Sequence, residues 1–155
     1  MIELVNIEKR FGNKRVLRNI NLNLQEGKVY GLFGPNGVGK TTLLKIMAGY
    51  NKKTSGEYKI NGLDFTYENK DHITFISDKE IFYGWMKIKD AVKYYKDFFT
   101  DFDEEKCLRL VKMMKLEADD KINVLSKGMK ARLKVALAIS RDAKLYLLDE
   151  PLGGL

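Results

Sequence analysis

An α/β fold is predicted for this chain of 155 residues, and three observations carry the prediction. Apolar runs of strand length recur along the sequence, at Ile2 to Ile7, Val29 to Phe33, Ile73 to Ile76 and Leu145 to Leu148. A long segment with helical periodicity, Ile88 to Ser140, lies between the last two runs. A glycine-rich turn, Gly34 to Gly39, joins the Val29 run to a helix-like segment from Thr42 to Ala48.

The elements follow in order. Ile2 to Ile7 reads as a strand, with a turn at Gly12-Asn13-Lys14. Ile20, Leu22 and Leu24 alternate with polar residues, the mark of a half-exposed strand. After the Glu26-Gly27-Lys28 turn, Val29-Tyr30-Gly31-Leu32-Phe33 reads as a buried strand. Ser55-Gly56 precedes a short strand, Glu57 to Ile60, closed by Asn61-Gly62, a dipeptide suited to a tight hairpin. From Ile88 to Leu116 the pattern is helical. One apolar face runs through Ala91, Val92, Tyr95 and Phe98 or Phe99; another runs through Leu108, Val111 and Met114 or Lys115. The second helix is capped by Asp103, or by Asp101 with Glu104. A third helix covers about Ser126 to Ser140, with Met129, Leu133, Ala136 and Leu137 on one side. The expected architecture is a nucleotide-binding sheet with an antiparallel N-terminal part and a helical insert.

Composition narrows the class. The apolar fraction of 45% supports a packed core. No apolar run approaches the roughly 18 residues of a membrane span, and Met1 leads directly into a strand with no signal-peptide pattern. The net charge of +7 is spread along the chain, so a solvated lysine-rich surface is expected and no nucleic-acid partner. Cys107 has no internal partner for a disulfide, which fits a reducing cytosol, and it reads as a small helix residue without chemistry. The lone His72 has no companions for a metal site and reads as a loop or strand-edge residue.

The chemistry concentrates in two places. Gly34-Pro35-Asn36-Gly37-Val38-Gly39-Lys40-Thr41 satisfies G-x-x-x-x-G-K-[ST], with Thr42 continuing into the helix. Glycines let such a loop wrap and aim its N–H groups at phosphate oxygens, and the helix adds its positive N-terminal end. Lys40 is expected to reach the β- and γ-phosphates, and the Thr41 hydroxyl to bind Mg²⁺. The last strand ends in Asp149-Glu150-Pro151. Asp149 suits Mg²⁺, and Glu150 suits a general base toward an attacking water.

Leu125-Ser126-Lys127-Gly128-Met129, a helix ahead of that strand, resembles the LSGGQ signature of ABC-type ATPases, the ATP-binding cassettes of ABC transporters. The resemblance covers essentially the whole chain. It implies a P-loop α/β domain over residues 1–155, with a helical subdomain at about 82–141 and ATP with Mg²⁺ as ligands. It implies that Phe11 stacks on adenine, and that Ser126 and Gly128 meet the γ-phosphate of ATP held by a second ATP-binding subunit in a head-to-tail dimer. Lys127 and Met129 depart from the signature. Asp78 falls where the family has its Q-loop glutamine, which implies a Mg²⁺-side and catalytic role for Asp78. Phe82, Tyr83, Trp85 and Met86 fall where a transmembrane permease subunit docks a short helix, or else they pack inside the helical subdomain. The chain ends at Leu155, within the family's D-loop and before its switch histidine, so it reads as a truncated cassette that binds ATP and hydrolyses it poorly. The implied activity is ATP hydrolysis powering a transporter, with an exporter as the finer expectation, at the inner face of the cell membrane. The alternative is a soluble ABC ATPase acting on nucleic acid or ribosomes.

Overall fold

The computed structural model describes residues 1–77 and 82–150. It divides into two units, Met1–Lys70 and Asp71–Leu155.

The first unit is built on a long hairpin. β1 (Ile2–Phe11) and β2 (Lys14–Leu24) pair antiparallel, β3 (Ser55–Ile60) adds to the other side of β1, and β4 (Leu63–Asp64) closes the order β2-β1-β3-β4. Both hairpin strands are longer than the apolar runs that announce them. Cross-strand pairing carries the polar ends Lys9 to Phe11 and Lys14 to Leu17 into the ladder. The β3–β4 turn is the expected Asn61-Gly62, with φ of 52° and 79°, the paired positive values that this dipeptide tolerates. Ile2, Leu4, Ile7, Leu17 and Tyr58 are buried on the sheet. Leu43, Ile46 and Met47 of α1 (Lys40–Met47) are buried too, and the Tyr58 hydroxyl donates to the Met47 carbonyl at 2.8 Å.

One expected strand is missing. Residues 28–35 adopt no regular structure, and Val29 and Phe33 are 101% and 93% exposed. An apolar run reports what a segment would bury. It becomes a central strand only when ladders flank it and layers cover both faces. Among the described residues no strand pairs with this run.

In the second unit, β5 (Ile73–Ile76) and β6 (Leu145–Leu148) pair parallel, Ile73 with Leu145 through Ile76 with Leu148. The helical stretch breaks into α2 (Ile88–Phe98), α3 (Glu104–Met113) and α4 (Lys127–Ile139). Asp103 is the cap of α3, its carboxylate accepting from the Lys106 N–H at 2.8 Å. One core joins the three helices: Met86, Ile88, Val92, Cys107, Val111, Leu116, Ile122, Leu133 and Leu137. At the end of α2 the structure chooses Phe99 of the two alternatives, and on α3 one position differs from the sequence pattern. Phe98 is exposed while the half-buried Phe99 packs with Tyr95. On α3 Cys107 and Val111 are buried, and Leu108 is exposed. Positions i+3 and i+4 share a helix face, so spacing alone admits either phase and packing chooses. His72 is exposed, in a short 3₁₀ turn that ends at the β5 edge, as expected.

A buried guanidinium ties this unit together. Arg141 follows α4 and is 5% exposed. It grips Asp101 through two bonds of 2.9 and 3.0 Å. It also donates to the carbonyls of Ile73, at 3.3 Å, and of Asp71, and lies 4.0 Å from the Phe99 ring centroid. The α2–α3 connection, the start of β5 and the exit of α4 therefore meet at one side chain.

Two expectations follow. Asp101→Ala leaves a buried cation without its carboxylate and should destabilise the protein by about 3 kcal/mol, read as a lower urea midpoint. Burial pushes the Cys107 thiol up from its ordinary value to about 11. Cys107 should therefore resist alkylation in the native protein and react on unfolding. Because its folded value is the higher one, its contribution to stability is present below about pH 9 and lost as pH rises toward 11.

Candidate nucleotide-binding and hydrolysis site

The first unit contains the phosphate loop and the hairpin that carries Phe11. Gly34 to Gly39 leads into α1, with Gly39 as N-cap at φ 110° and its carbonyl accepting from the Leu43 N–H at 2.9 Å. A side chain at Gly39 would meet the Leu17 Cδ2 at 2.8 Å and the Val16 carbonyl oxygen at 3.3 Å. The end of the loop therefore rests directly on β2. Pro35 accepts from the Val38 N–H at 3.4 Å, closing the turn through Asn36 and Gly37. The Lys40 ammonium lies back over the loop, donating to the carbonyls of Gly34 and Pro35 at 2.7 and 3.1 Å. Thr41 and Thr42 continue the first turn of α1, Thr41 exposed. Phe11 ends β1 opposite Lys14 and is 48% exposed, so its ring is accessible to a ligand.

The second unit contains the acidic pair and the signature segment. Asp149 follows β6 directly, is buried, and its N–H donates to the Ile76 carbonyl at 2.9 Å. Parallel pairing thus brings Ser77 and Asp149 off the sheet at the same end. Asp78, the expected Q-loop counterpart, lies outside the described residues. Glu150 is exposed, in the left-handed region at φ 46°, a conformation that non-glycine residues adopt at a cost and that gathers at functional sites. Ser126 is the N-cap of α4, its hydroxyl oxygen accepting from the Met129 N–H at 3.2 Å. Its own O–H stays available, and Lys127 and Gly128 occupy the first turn beside it. Two turns further along, the Lys134 ammonium donates to the Ser77 carbonyl at 3.2 Å, linking α4 to the exit of β5. Spacing gives no hint of that link.

The four residues after Asp78 that were expected as a groove or as core behave unequally. Met86 is buried and Phe82 packs against the helical core, while Tyr83 and Trp85 are exposed and stacked at 6.2 Å between ring centroids. Among the described residues no group of three histidine, cysteine or acidic side chains is placed to hold a metal. Mg²⁺ commonly keeps several waters and takes one or two protein oxygens together with phosphate oxygens. The Thr41 hydroxyl and Asp149 carboxylate are oxygen donors of that kind. No helix among the described residues is long and apolar enough to cross a membrane.

A phosphate loop opening a helix, an apolar strand ending in Asp-Glu, and a serine-capped helix ahead of it define a P-loop ATPase of the ABC type. Comparison with known proteins agrees. The ABC transporter family model matches residues 17–153, and the chain belongs to that family. It is 34% identical over 157 residues to the lantibiotic transport ATP-binding protein SrtF of Streptococcus pyogenes, spanning all of this chain and 68% of SrtF. It is 35% identical over 162 residues to the spermidine/putrescine import ATP-binding protein PotA of Mesoplasma florum, but spans only 46% of that protein. Among solved structures, it matches 99% of its length to a Pyrococcus furiosus chain described as an ABC transporter ATP-binding protein, at TM-score 0.89 and 27% identity, covering 77% of that chain. A dimeric ATP-binding cassette bound to ADP and Pi matches at TM-score 0.83 and 27% identity, with 100% of this chain and 76% of that one aligned. ATP and Mg²⁺ are the ligands of this class, and ATP hydrolysis is its reaction.

Gly39 gives a direct test of the loop's seat on β2. Gly39→Ala puts a methyl group against Leu17 and Val16 at a positive φ. ATP affinity measured by calorimetry should fall at least tenfold while circular dichroism keeps the native helix content.

Proposed function

We propose that this chain is the ATP-binding and ATP-hydrolysing subunit that powers a membrane ABC transporter, working as a head-to-tail pair with a second ATP-binding subunit. The observation that carries the reading is the phosphate loop seated on the hairpin that presents Phe11, with Lys40 folded over it. Phe11 stacks on the base, and the amides of Gly34 to Thr42 wrap the phosphates. Lys40 exchanges the Gly34 and Pro35 carbonyls for β- and γ-phosphate oxygens, a charge-assisted contact. Mg²⁺, when bound, neutralises phosphate charge; the Thr41 hydroxyl, Asp149 and Asp78 are its protein-side ligands. Glu150 takes the proton of the attacking water. Ser126 and Gly128, at the positive end of α4, face the γ-phosphate bound by the partner subunit.

Attachment to a transmembrane permease subunit is the second half of the proposal, and it places the protein at the cytoplasmic face of the membrane. Its support is the exposed Tyr83–Trp85 stack, an aromatic surface of the type that receives a helix. Export is the direction we favour, on the resemblance of the Leu125-Ser126-Lys127-Gly128-Met129 variant and of Asp78 to cassettes of small-molecule exporters. No nucleic-acid partner is proposed.

Lys40→Ala should weaken ATP binding by roughly 1.5–3 kcal/mol, the worth of a bond to a charged group, and unchanged affinity in a folded variant would refute the nucleotide site. The acidic residues separate by role in steady-state phosphate release by the intact subunit. Glu150→Gln should abolish turnover and retain ATP, and Asp78→Asn should shift the Mg²⁺ dependence of turnover while affinity without metal stays put. Normal turnover by Glu150→Gln removes it as the base.

A further inference from the structure

Lys9 lies two residues before Phe11 on the same strand, so the two side chains share a face of the hairpin. Its ammonium stands 4.6 Å from the Phe11 ring centroid. The same nitrogen donates to the Lys52 carbonyl at 2.6 Å. Two neighbouring bonds reinforce that anchorage, from the Thr54 N–H to the Glu8 carbonyl at 2.8 Å and from the Arg10 N–H to the Thr54 hydroxyl at 2.9 Å. The Lys9 ammonium is therefore fixed in space by the segment after α1, and one face of the Phe11 ring is held against it. Leu17, cross-strand from Lys9, and its neighbour Val16 meet Gly39 of the phosphate loop, so ring, cation and loop end are tied to the same hairpin.

We propose that Lys9 is a positioning residue for the nucleobase: it occupies one face of Phe11, fixes the ring's orientation, and leaves only the opposite face for the base to stack on. The base then completes a cation–ring–base sandwich. Lys9 touches no part of the nucleotide, and its effect passes through Phe11. This inference rests on the proposed stacking of the base on Phe11.

The test compares ATP with inorganic tripolyphosphate, which has the three phosphates, one more ionisable oxygen and no base. Binding is measured by calorimetry for the wild type, Lys9→Met, Lys9→Arg, Phe11→Leu and the Lys9→Met/Phe11→Leu pair. Lys9→Met should weaken ATP roughly two- to fivefold, the worth of an exposed cation–π contact, and leave tripolyphosphate unchanged. Lys9→Arg should restore ATP affinity. In the Phe11→Leu background the Lys9→Met effect should vanish. Equal losses for ATP and tripolyphosphate, or a loss that persists without the ring, would make Lys9 a brace of the hairpin alone and overturn the proposal. Should Phe11→Leu leave ATP affinity intact while Lys40→Ala destroys it, the stacking of the base on Phe11 is wrong, and the role of Lys9 falls with it. Should Lys9→Met lower the melting temperature, Lys9→Ile with the same pair of ligands separates stability from base recognition, because tripolyphosphate binding reports the folded loop.

Discussion

The contact between Gly39 and β2 is the constraint on which the nucleotide half of this molecule depends. A phosphate loop needs its amides aimed inward and its helix started at a set point. Here that point is a residue at φ 110° with Leu17 and the Val16 carbonyl against it. A side chain there would be strained at that φ and would press on Leu17 and Val16. Because the same hairpin carries Phe11 at its tip, the packing that seats the loop also sets where the ring stands relative to it. Burial of Leu17, Leu43 and Ile46 holds the arrangement, and the Tyr58 bond to Met47 fastens the far end of α1 to β3.

The second unit solves a different problem with a different device. Its sheet has only two strands among those described, too few to be stable by themselves. The three-helix core supplies apolar burial, and Arg141 supplies direction. A guanidinium has five donors in a planar fork. Arg141 spends them on Asp101 and on the backbone at Asp71 and Ile73, so the entrance of β5 is fixed to the α2–α3 connection. The strand that delivers Asp149 starts four residues later and pairs with β5 in register. The strand that ends in the acidic pair is thus tied, through Arg141, to Asp101, which is distant in sequence. Lys134, reaching from α4 to Ser77, links the signature helix to the same strand exit.

The exposed Val29 to Phe33 run shows how burial differs from the capacity for burial. Its composition is that of a central strand, and it lies immediately ahead of the phosphate loop. Strand formation is a two-body event, however, requiring a backbone edge with matching direction and free donors. Helix α1 forms beside it because its hydrogen bonds are internal to the segment.

That distinction separates what the sequence determined by itself from what the tertiary structure decided. The phosphate loop, the Asn61-Gly62 turn, the Asp103 and Ser126 caps and the places of α2 to α4 were legible in the residues, because each is settled within a few positions by φ preferences, capping oxygens or helical periodicity. The carboxylates Asp149 and Glu150 were legible for the same local reason, as the end of an apolar strand. The burial of Cys107 in place of Leu108, the bidentate grip of Arg141 on Asp101, the seat of Gly39 on Leu17 and the bond from Lys9 to Lys52 were not. Each joins segments distant in sequence, or chooses between helix phases that spacing leaves equal. Lys9 was half legible: a period of two places it on the Phe11 face, but only the folded chain puts the Lys52 carbonyl within reach of its ammonium. Long-range pairing depends on which surfaces meet, and that is a property of the packed molecule rather than of any segment of it.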